Sequence, residues 1–200
     1  MTGQKSPTIV LIVAALLPEL GIGYRGRLPW RLRQELSYFR KVTTHTKNPD
    51  HVNAVIMGRK TWDSIPARFR PLPNRINVII SRSFAKEIRE NENLILSNDL
   101  DDALQKVSKV LPTVEKLFVI GGSTLYSEFC KRSLTKHMLL TEIRTKHDVE
   151  IDTWLDIPIG EGEWKKQPHE AFQKFTGLDF EDTEIQEGDF GYRFTYWTKE

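Results

Sequence analysis

Two hundred residues, 39% of them hydrophobic, suffice for one globular domain with a substantial core. A formal charge of +2, from 29 basic and 27 acidic residues with no run of five like charges, argues against a nucleic-acid partner, an acidic tail or a basic arm. Cys130 is the only cysteine, which excludes an internal disulfide and fits a reducing, cytoplasmic compartment.

In chain order, Met1 to Pro7 is short and polar, and the apolar run Ile9 to Leu17 is too short to span a bilayer. Ile9 to Ala14 reads as a buried strand, and no membrane partner is expected. Gly21-Ile22-Gly23 and Gly26 then surround Tyr24 and Arg25, either as a turn or as a mobile flap able to close over a site. This is not a dinucleotide fingerprint, because the third glycine is missing and no helix follows at once. Pro29 fixes its own backbone angle and restrains Leu28, so Leu28-Pro29-Trp30 forms a rigid apolar edge.

Gln34 to Thr43 reads as a helix with Glu35, Tyr38 and Phe39 on one face at i, i+3 and i+4. A helical Glu is ordinarily solvated, but this one has apolar neighbours. A carboxylate in such company is costly unless something binds it. Ionised, it can grip a planar ligand that presents two parallel N–H donors.

His45 to Asn53 reads as a surface loop, and Ala54 to Met57 as a strand ending at Gly58, followed by Arg59-Lys60-Thr61-Trp62. Ile76 to Ile80 is another strand, followed by Ser81-Arg82-Ser83. Both motifs put basic and hydroxyl groups at the carboxyl end of a strand, where open α/β sheets bind ligands. Either alone reads first as scattered surface charge; the pair favours a phosphate on a ribose. Leu100, Ala103, Leu104, Val107 and Leu111 mark one helix face, with Asp99, Asp101 and Asp102 at its start and Lys106 and Lys109 at its end.

Leu117 to Ile120 is a strand, Gly121-Gly122 a corner, and Ser123 to Lys131 a helix. Bare N–H groups there, beside Ser123 and Thr124, could cradle a pyrophosphate, with a tight structural turn the equal alternative. Gly160 to Gly162 and Gly188 to Gly191 bracket a polar stretch with the look of loop. Tyr192, Phe194, Tyr196 and Thr198 alternate as in an edge-type antiparallel strand. Strands alternating with helices predict one α/β domain with a largely parallel sheet covered on both faces. The five histidines have no metal spacing, no Gly-x-Ser-x-Gly occurs, and Cys130 has no evident base, so neither a metal nor covalent catalysis is expected.

The stretch Ile22-Gly23-Tyr24-Arg25-Gly26-Arg27-Leu28-Pro29-Trp30, with Glu35, Phe39 and Thr43, resembles position by position the loop-and-helix motif of the dihydrofolate reductase family. Further segments fall in the family's order: Ile56 to Pro66, Arg70-Pro71-Leu72 with Arg75, Ser81-Arg82, Ile120 to Tyr126, and Thr141 with Asp152-Thr153. The likeness covers residues 8–198, and the long connections and the Pro18-Glu19-Leu20 turn resemble the fungal branch. Leu36 stands where many eukaryotic members carry Phe, and one residue fewer separates Trp30 from Glu35 than in vertebrate forms.

The resemblance implies a single-domain dihydrofolate-reductase-like fold over residues 1–200. Its sheet is central, mostly parallel and mixed, with an antiparallel C-terminal strand and helices on both faces. It implies NADPH-dependent hydride transfer to C6 of dihydrofolate with protonation of N5, giving tetrahydrofolate for one-carbon and thymidylate metabolism. Glu35 is then the residue that holds the pterin, backed by Thr141, while Leu28 and Trp30 control the water that delivers the proton. Leu36, Phe39, Ile65 and Leu72 wall the benzoyl part, and Arg75 clamps the glutamate α-carboxylate. Ile120, Tyr126 and the backbone of Ala15 contact pterin or nicotinamide. For NADPH, Arg59, Lys60, Thr61, Ser81, Arg82 and Ser83 match positions near the adenosine ribose and its 2′-phosphate. Gly21, Ile22, Gly23, Gly26 and Arg27 form the loop over the cofactor. Gly121, Gly122, Ser123, Thr124, Leu125 and Tyr126 match the pyrophosphate and nicotinamide side, with a cis Gly121–Gly122 bond. The family expectation is a monomer inhibited by antifolates. A related pteridine or pyrimidine reductase, or a nucleotide-binding module without catalysis, are the rivals; Arg75 counts against the first and joint retention of Glu35, Trp30 and Thr141 against the second.

Overall fold

The computed structural model describes residues 7–83, 90–110, 113–159 and 162–200; residues 1–6, Leu111 and Gly160 of the readings above lie outside them. In chain order the elements are β1 (Thr8–Leu16), β2 (Gly21–Gly23), α1 (Arg33–Thr44), β3 (Val52–Gly58), α2 (Arg59–Ser64), β4 (Arg75–Ile80) and β5 (Leu94–Ser97). Then come α3 (Leu100–Lys109), β6 (Val114–Gly121), α4 (Ser123–Lys131), β7 (His137–Thr145), β8 (Thr153–Trp154), β9 (Lys165–Lys166), α5 (His169–Thr176), β10 (Ile185–Glu187) and β11 (Phe190–Thr198).

One mixed sheet runs in the order β10-β11-β7-β1-β6-β3-β4-β5. From β7 to β5 every neighbouring pair is parallel, and β11 closes the other side antiparallel to β7. The run Ile9 to Ala14 shows why both faces are covered. Leu11, Val13 and Ala15 enter one core with Ala103 and Val107 of α3 and Leu125 and Phe129 of α4. Val10 and Ile12 enter another with Tyr38 and Val42 of α1, Trp62 of α2 and Phe172 of α5. A strand apolar at both phases of its two-residue period can bury itself only between two layers of helix. The parallel arrangement brings the carboxyl ends of β1, β3, β4 and β6 to one edge of the sheet.

Three expectations are corrected. The stretch read as loop between the glycine pairs contains α5, whose Phe172 and Thr176 are buried and which ends at Gly177 with φ 71°. A left-handed residue after the last turn is the usual helix stop, and glycine adopts it without steric cost. Second, β11 is no edge: it pairs with β7 from Phe190↔Thr145 to Thr198↔His137, and with β10 and β9 on its other side. Third, Asn53 is a buried strand residue rather than part of a surface loop. Its Nδ2 donates to the Thr43 and His45 carbonyls (3.1 and 2.8 Å), holding the C-terminal end of α1. Among the described residues no helix is long and apolar enough to cross a membrane.

Candidate active site

Helix α1 places Glu35 and Tyr38 on its buried face, as the spacing predicts. Glu35 is 8% exposed, and the Thr141 hydroxyl donates to its Oε1 at 3.2 Å. Thr141 sits mid-strand in β7, opposite Ala14 of β1 on one side and Phe194 of β11 on the other. Burial pushes the Glu35 carboxyl up to about 7; the Thr141 bond opposes this and the charge of Glu187 adds to it. Trp30 is buried nearby in the sequence, and among the described residues nothing accepts from its indole N–H. A buried donor without a partner is costly, so a polar occupant such as water is called for there. Leu28, two residues before, is 54% exposed at the rim of the loop.

Outward from Glu35, the other side of α1 borders an open cavity of about 530 Å³. Leu36, Phe39 and Leu72 give it apolar walls, and Arg40, Arg68 and Arg75 give it positive charge. Ile65 and Ile120, like Phe39 and Leu72, pack against the core that holds Tyr38. Arg75 is 3% exposed, its Nε donating to the Pro73 carbonyl (2.9 Å) and a terminal nitrogen to Thr43 Oγ1 (2.8 Å). Desolvation, then the charge of Arg40, lowers its pKa to about 10, which leaves it a cation at neutral pH. A fixed guanidinium at the end of an apolar trough suits a carboxylate carried on an aromatic body. Arg40, Arg68 and Phe69 were not singled out in the sequence; Arg40 could have been, since it shares a helix face with Leu36.

The carboxyl edge of the parallel strands holds the other predicted group. Gly121 has φ 134°, its bond to Gly122 is cis, and a Cβ there would lie 3.0 Å from Thr61 Oγ1. Helices α2 and α4 start at Gly58 and Gly122 with no side-chain cap, so their first N–H groups are left to an outside acceptor. Ser123 is half-buried, Thr124 exposed, and Leu125 faces the core. Tyr126 is turned inward, its hydroxyl donating to the Ile12 carbonyl (2.8 Å). Arg59 is paired with Asp63 at 3.0 Å, while Lys60 and Arg82 are exposed. The Ser81 hydroxyl donates to the Ser83 carbonyl (2.6 Å).

The glycine loop is more ordered than a free flap. β2 pairs with β1 and β8, Arg25 N–H donates to Asp152 Oδ2 (2.8 Å), and Asp152 N–H donates to the Gly23 carbonyl (3.0 Å). Gly21 is required by packing, since a Cβ would meet the Ile151 side chain at 2.9 Å. Arg25 and Gly26, at φ 49° and 73°, form the tight turn that exposes Gly26 and Arg27.

Comparison with known proteins agrees with this geometry. The family model for dihydrofolate reductase matches residues 8–184. The chain is 47% identical to the dihydrofolate reductase of Candida albicans over 98% of this chain and 100% of that one, and 46% identical to that of Saccharomyces cerevisiae over 88% and 84%. The solved Schistosoma mansoni dihydrofolate reductase superposes with a TM-score of 0.79 at 28% identity, covering 98% of this chain and 100% of that one. The chain belongs to the dihydrofolate reductase family of enzymes, with high identity to fungal members.

Proposed function

We propose that this chain, a single domain, reduces dihydrofolate to tetrahydrofolate at the expense of NADPH, with hydride delivered to C6 and a proton to N5. The observation that carries the reading is Glu35: a buried carboxyl with pKa about 7, one hydroxyl partner and an unpartnered indole N–H on the preceding loop. A pterin that presents its 2-amino and N3–H groups supplies the missing donors and favours the ionised form. Binding therefore releases a proton near neutrality, and dihydrofolate affinity is expected to weaken as the pH falls below about 7.

Glu35 grips the pyrimidine edge, away from N5, so the proton comes through water ordered by Trp30 and screened by Leu28. Leu36, Phe39, Ile65 and Leu72 wall the benzoyl group, and Arg75 holds the α-carboxylate. The exposed apolar surface fits this: Leu36 and Phe69 in the cavity wall, and Leu28 on the loop, are each at least half exposed, surface that a bound aromatic ligand covers.

The donor set also fits NADPH. Two uncapped helix starts at neighbouring strand ends suit its phosphates, and the side-chain-free Gly121–Gly122 corner admits close approach. Arg59, Lys60, Thr61, Ser81, Arg82 and Ser83 hold the adenosine ribose and its 2′-phosphate; Gly121 to Tyr126 hold the pyrophosphate and nicotinamide, roofed by Gly21 to Arg27. When bound, NADPH supplies the hydride; the chain's own part is alignment and exclusion of water. The reading includes a cytoplasmic monomer inhibited by antifolates. The test is decay of NADPH absorbance on adding dihydrofolate, with NADH and an antifolate as controls: rapid, NADPH-preferring, antifolate-blocked decay is expected, and no decay with NADPH still bound would defeat the reading.

A further inference from the structure

Helix α1 opens without help from its own sequence, since Leu32 at its cap position offers no side-chain acceptor. Its first amides are met from the far end of the chain. Arg33 N–H donates to Glu187 Oε1 (2.5 Å), Gln34 N–H to Glu187 Oε2 (3.3 Å), and the Tyr192 hydroxyl to the same Oε2 (2.7 Å). Glu187 ends β10, and Tyr192 faces Ile185 across the hairpin. The Tyr192 side chain is fully buried in a small core with Trp30, Leu32 and Ile143, and Phe190 meets Trp30 edge-on at 6.5 Å. One hairpin thus touches both the loop that carries Trp30 and the turn that carries Glu35.

We propose that Glu187 is a positioning residue for the reduction: from the C-terminal hairpin it fixes the first turn of α1 and sets the electrostatic field at the Glu35 carboxyl. The inference rests on the reading of Glu35 as the carboxylate that holds the pterin. A carboxylate at a helix start is favoured by the aligned amides. Burial raises the pKa of Glu187, but the Tyr192 hydroxyl and the Arg33 and Gln34 amides outweigh it and bring the group below the ordinary value, so it stays ionised at neutral pH. The Thr141 hydroxyl of β7 contacts the Glu35 carboxyl directly, and the groups coupled to it through their charge are the phenols of Tyr38 on α1, Tyr126 on α4 and Tyr192 on β11, and Glu187 on β10. Burial raises all three phenols above their ordinary value, leaving Glu187 as the charged group in this described set.

The test uses the full chain with isotope-labelled glutamate carboxyls, the resonance lost in Glu35→Gln identifying Glu35. Glu187→Gln keeps an acceptor and removes the charge; it is expected to move the Glu35 titration midpoint down by a few tenths of a pH unit. Glu187→Ala also removes the acceptor and is expected to lower kcat roughly 10-fold through misplacement of the helix, with the Gln variant recovering most of that loss and NADPH affinity held within about twofold. A midpoint and kcat unchanged in both variants, with only the melting temperature lowered, make Glu187 a structural cap and overturn the proposal. Should the Ala variant not fold, the Gln midpoint decides alone. If Glu35→Gln keeps full turnover or loses no resonance that titrates near neutrality, the reading of Glu35 itself fails.

Discussion

The two halves of the sheet build their shares of the site from different material. Around β6 and β3 much of the useful surface is backbone: helix starts at Gly58 and Gly122, and a corner with no side chain at Gly121, flanked by exposed side chains such as Lys60 and Arg82. Around β1, β7 and β11 the useful groups are side chains, the Glu35 carboxyl and Thr141 hydroxyl packed into an apolar interior. Parallel strands that end together expose amides, which are fixed in place and carry only partial charge. A side chain in the core can instead have its ionisation set by what surrounds it. The first half suits anchoring of phosphate, and the second suits recognition that depends on protonation.

Changing side chains in the second half is therefore the sharpest way to separate the two. Glu35→Gln is expected to lower turnover by roughly 100-fold or more while NADPH affinity moves less than about twofold. Equal loss of both in steady-state and binding assays would erase the division. The same variant carries a stability signature. The folded pKa of Glu35, about 7, lies above the ordinary 4.5, so its burial costs nothing below about pH 4.5, a growing amount between 4.5 and 7, and a constant amount above. Glu35→Gln should therefore unfold at higher denaturant at pH 8, by up to about 3 kcal/mol, and near wild type at pH 4.

In the backbone half the matching change adds one methyl. Gly121→Ala must accept φ 134° and a contact 3.0 Å from Thr61 Oγ1, a strain of about 1–3 kcal/mol. Calorimetry should show weaker NADPH binding, and unaltered affinity would mean the corner is not part of the anchor. Arg75→Lys keeps the charge but loses the planar fork, so the KM for dihydrofolate should rise some tens-fold with kcat nearly unchanged. The smallest effect is expected from Arg82→Ala, which should weaken NADPH roughly 10-fold and leave NADH alone. An unchanged preference between the two nucleotides would remove Arg82 from the phosphate site.

Much of this was legible in the residues because burial on both faces writes a plain signal. Ile9 to Ala14, Ala54 to Met57 and Leu117 to Ile120 are continuous apolar runs, Ile76 to Ile80 is broken only by Asn77, and each lies in a strand of the parallel sheet. Strand β7 gave no such signal: after Met138-Leu139-Leu140 it carries Thr141 and Glu142, polar residues whose burial is satisfied by Glu35, Lys166 and Thr195. Helix α5 was hidden between glycine pairs that dominate a local reading, although Pro168 before it and Gly177 after it mark its ends. The identity of Glu35 as a site came from its helix-mates and its motif. Its environment did not, because Glu187 and Tyr192 meet α1 only through the fold, with more than 150 residues between Glu187 and the amides it accepts. No window on a sequence spans such a pairing.

The long register between β7 and β11 also orders events during synthesis. The stretch that becomes α1 leaves the ribosome early, yet Thr141 gains its second strand neighbour only when Phe194 is in place, and the amides of Arg33 and Gln34 meet an acceptor only when Glu187 arrives. Contacts this distant along the chain form late. A chain that stops before Glu187 and Phe194 therefore holds its acid on an unfinished scaffold, and such a truncation is expected to be inactive.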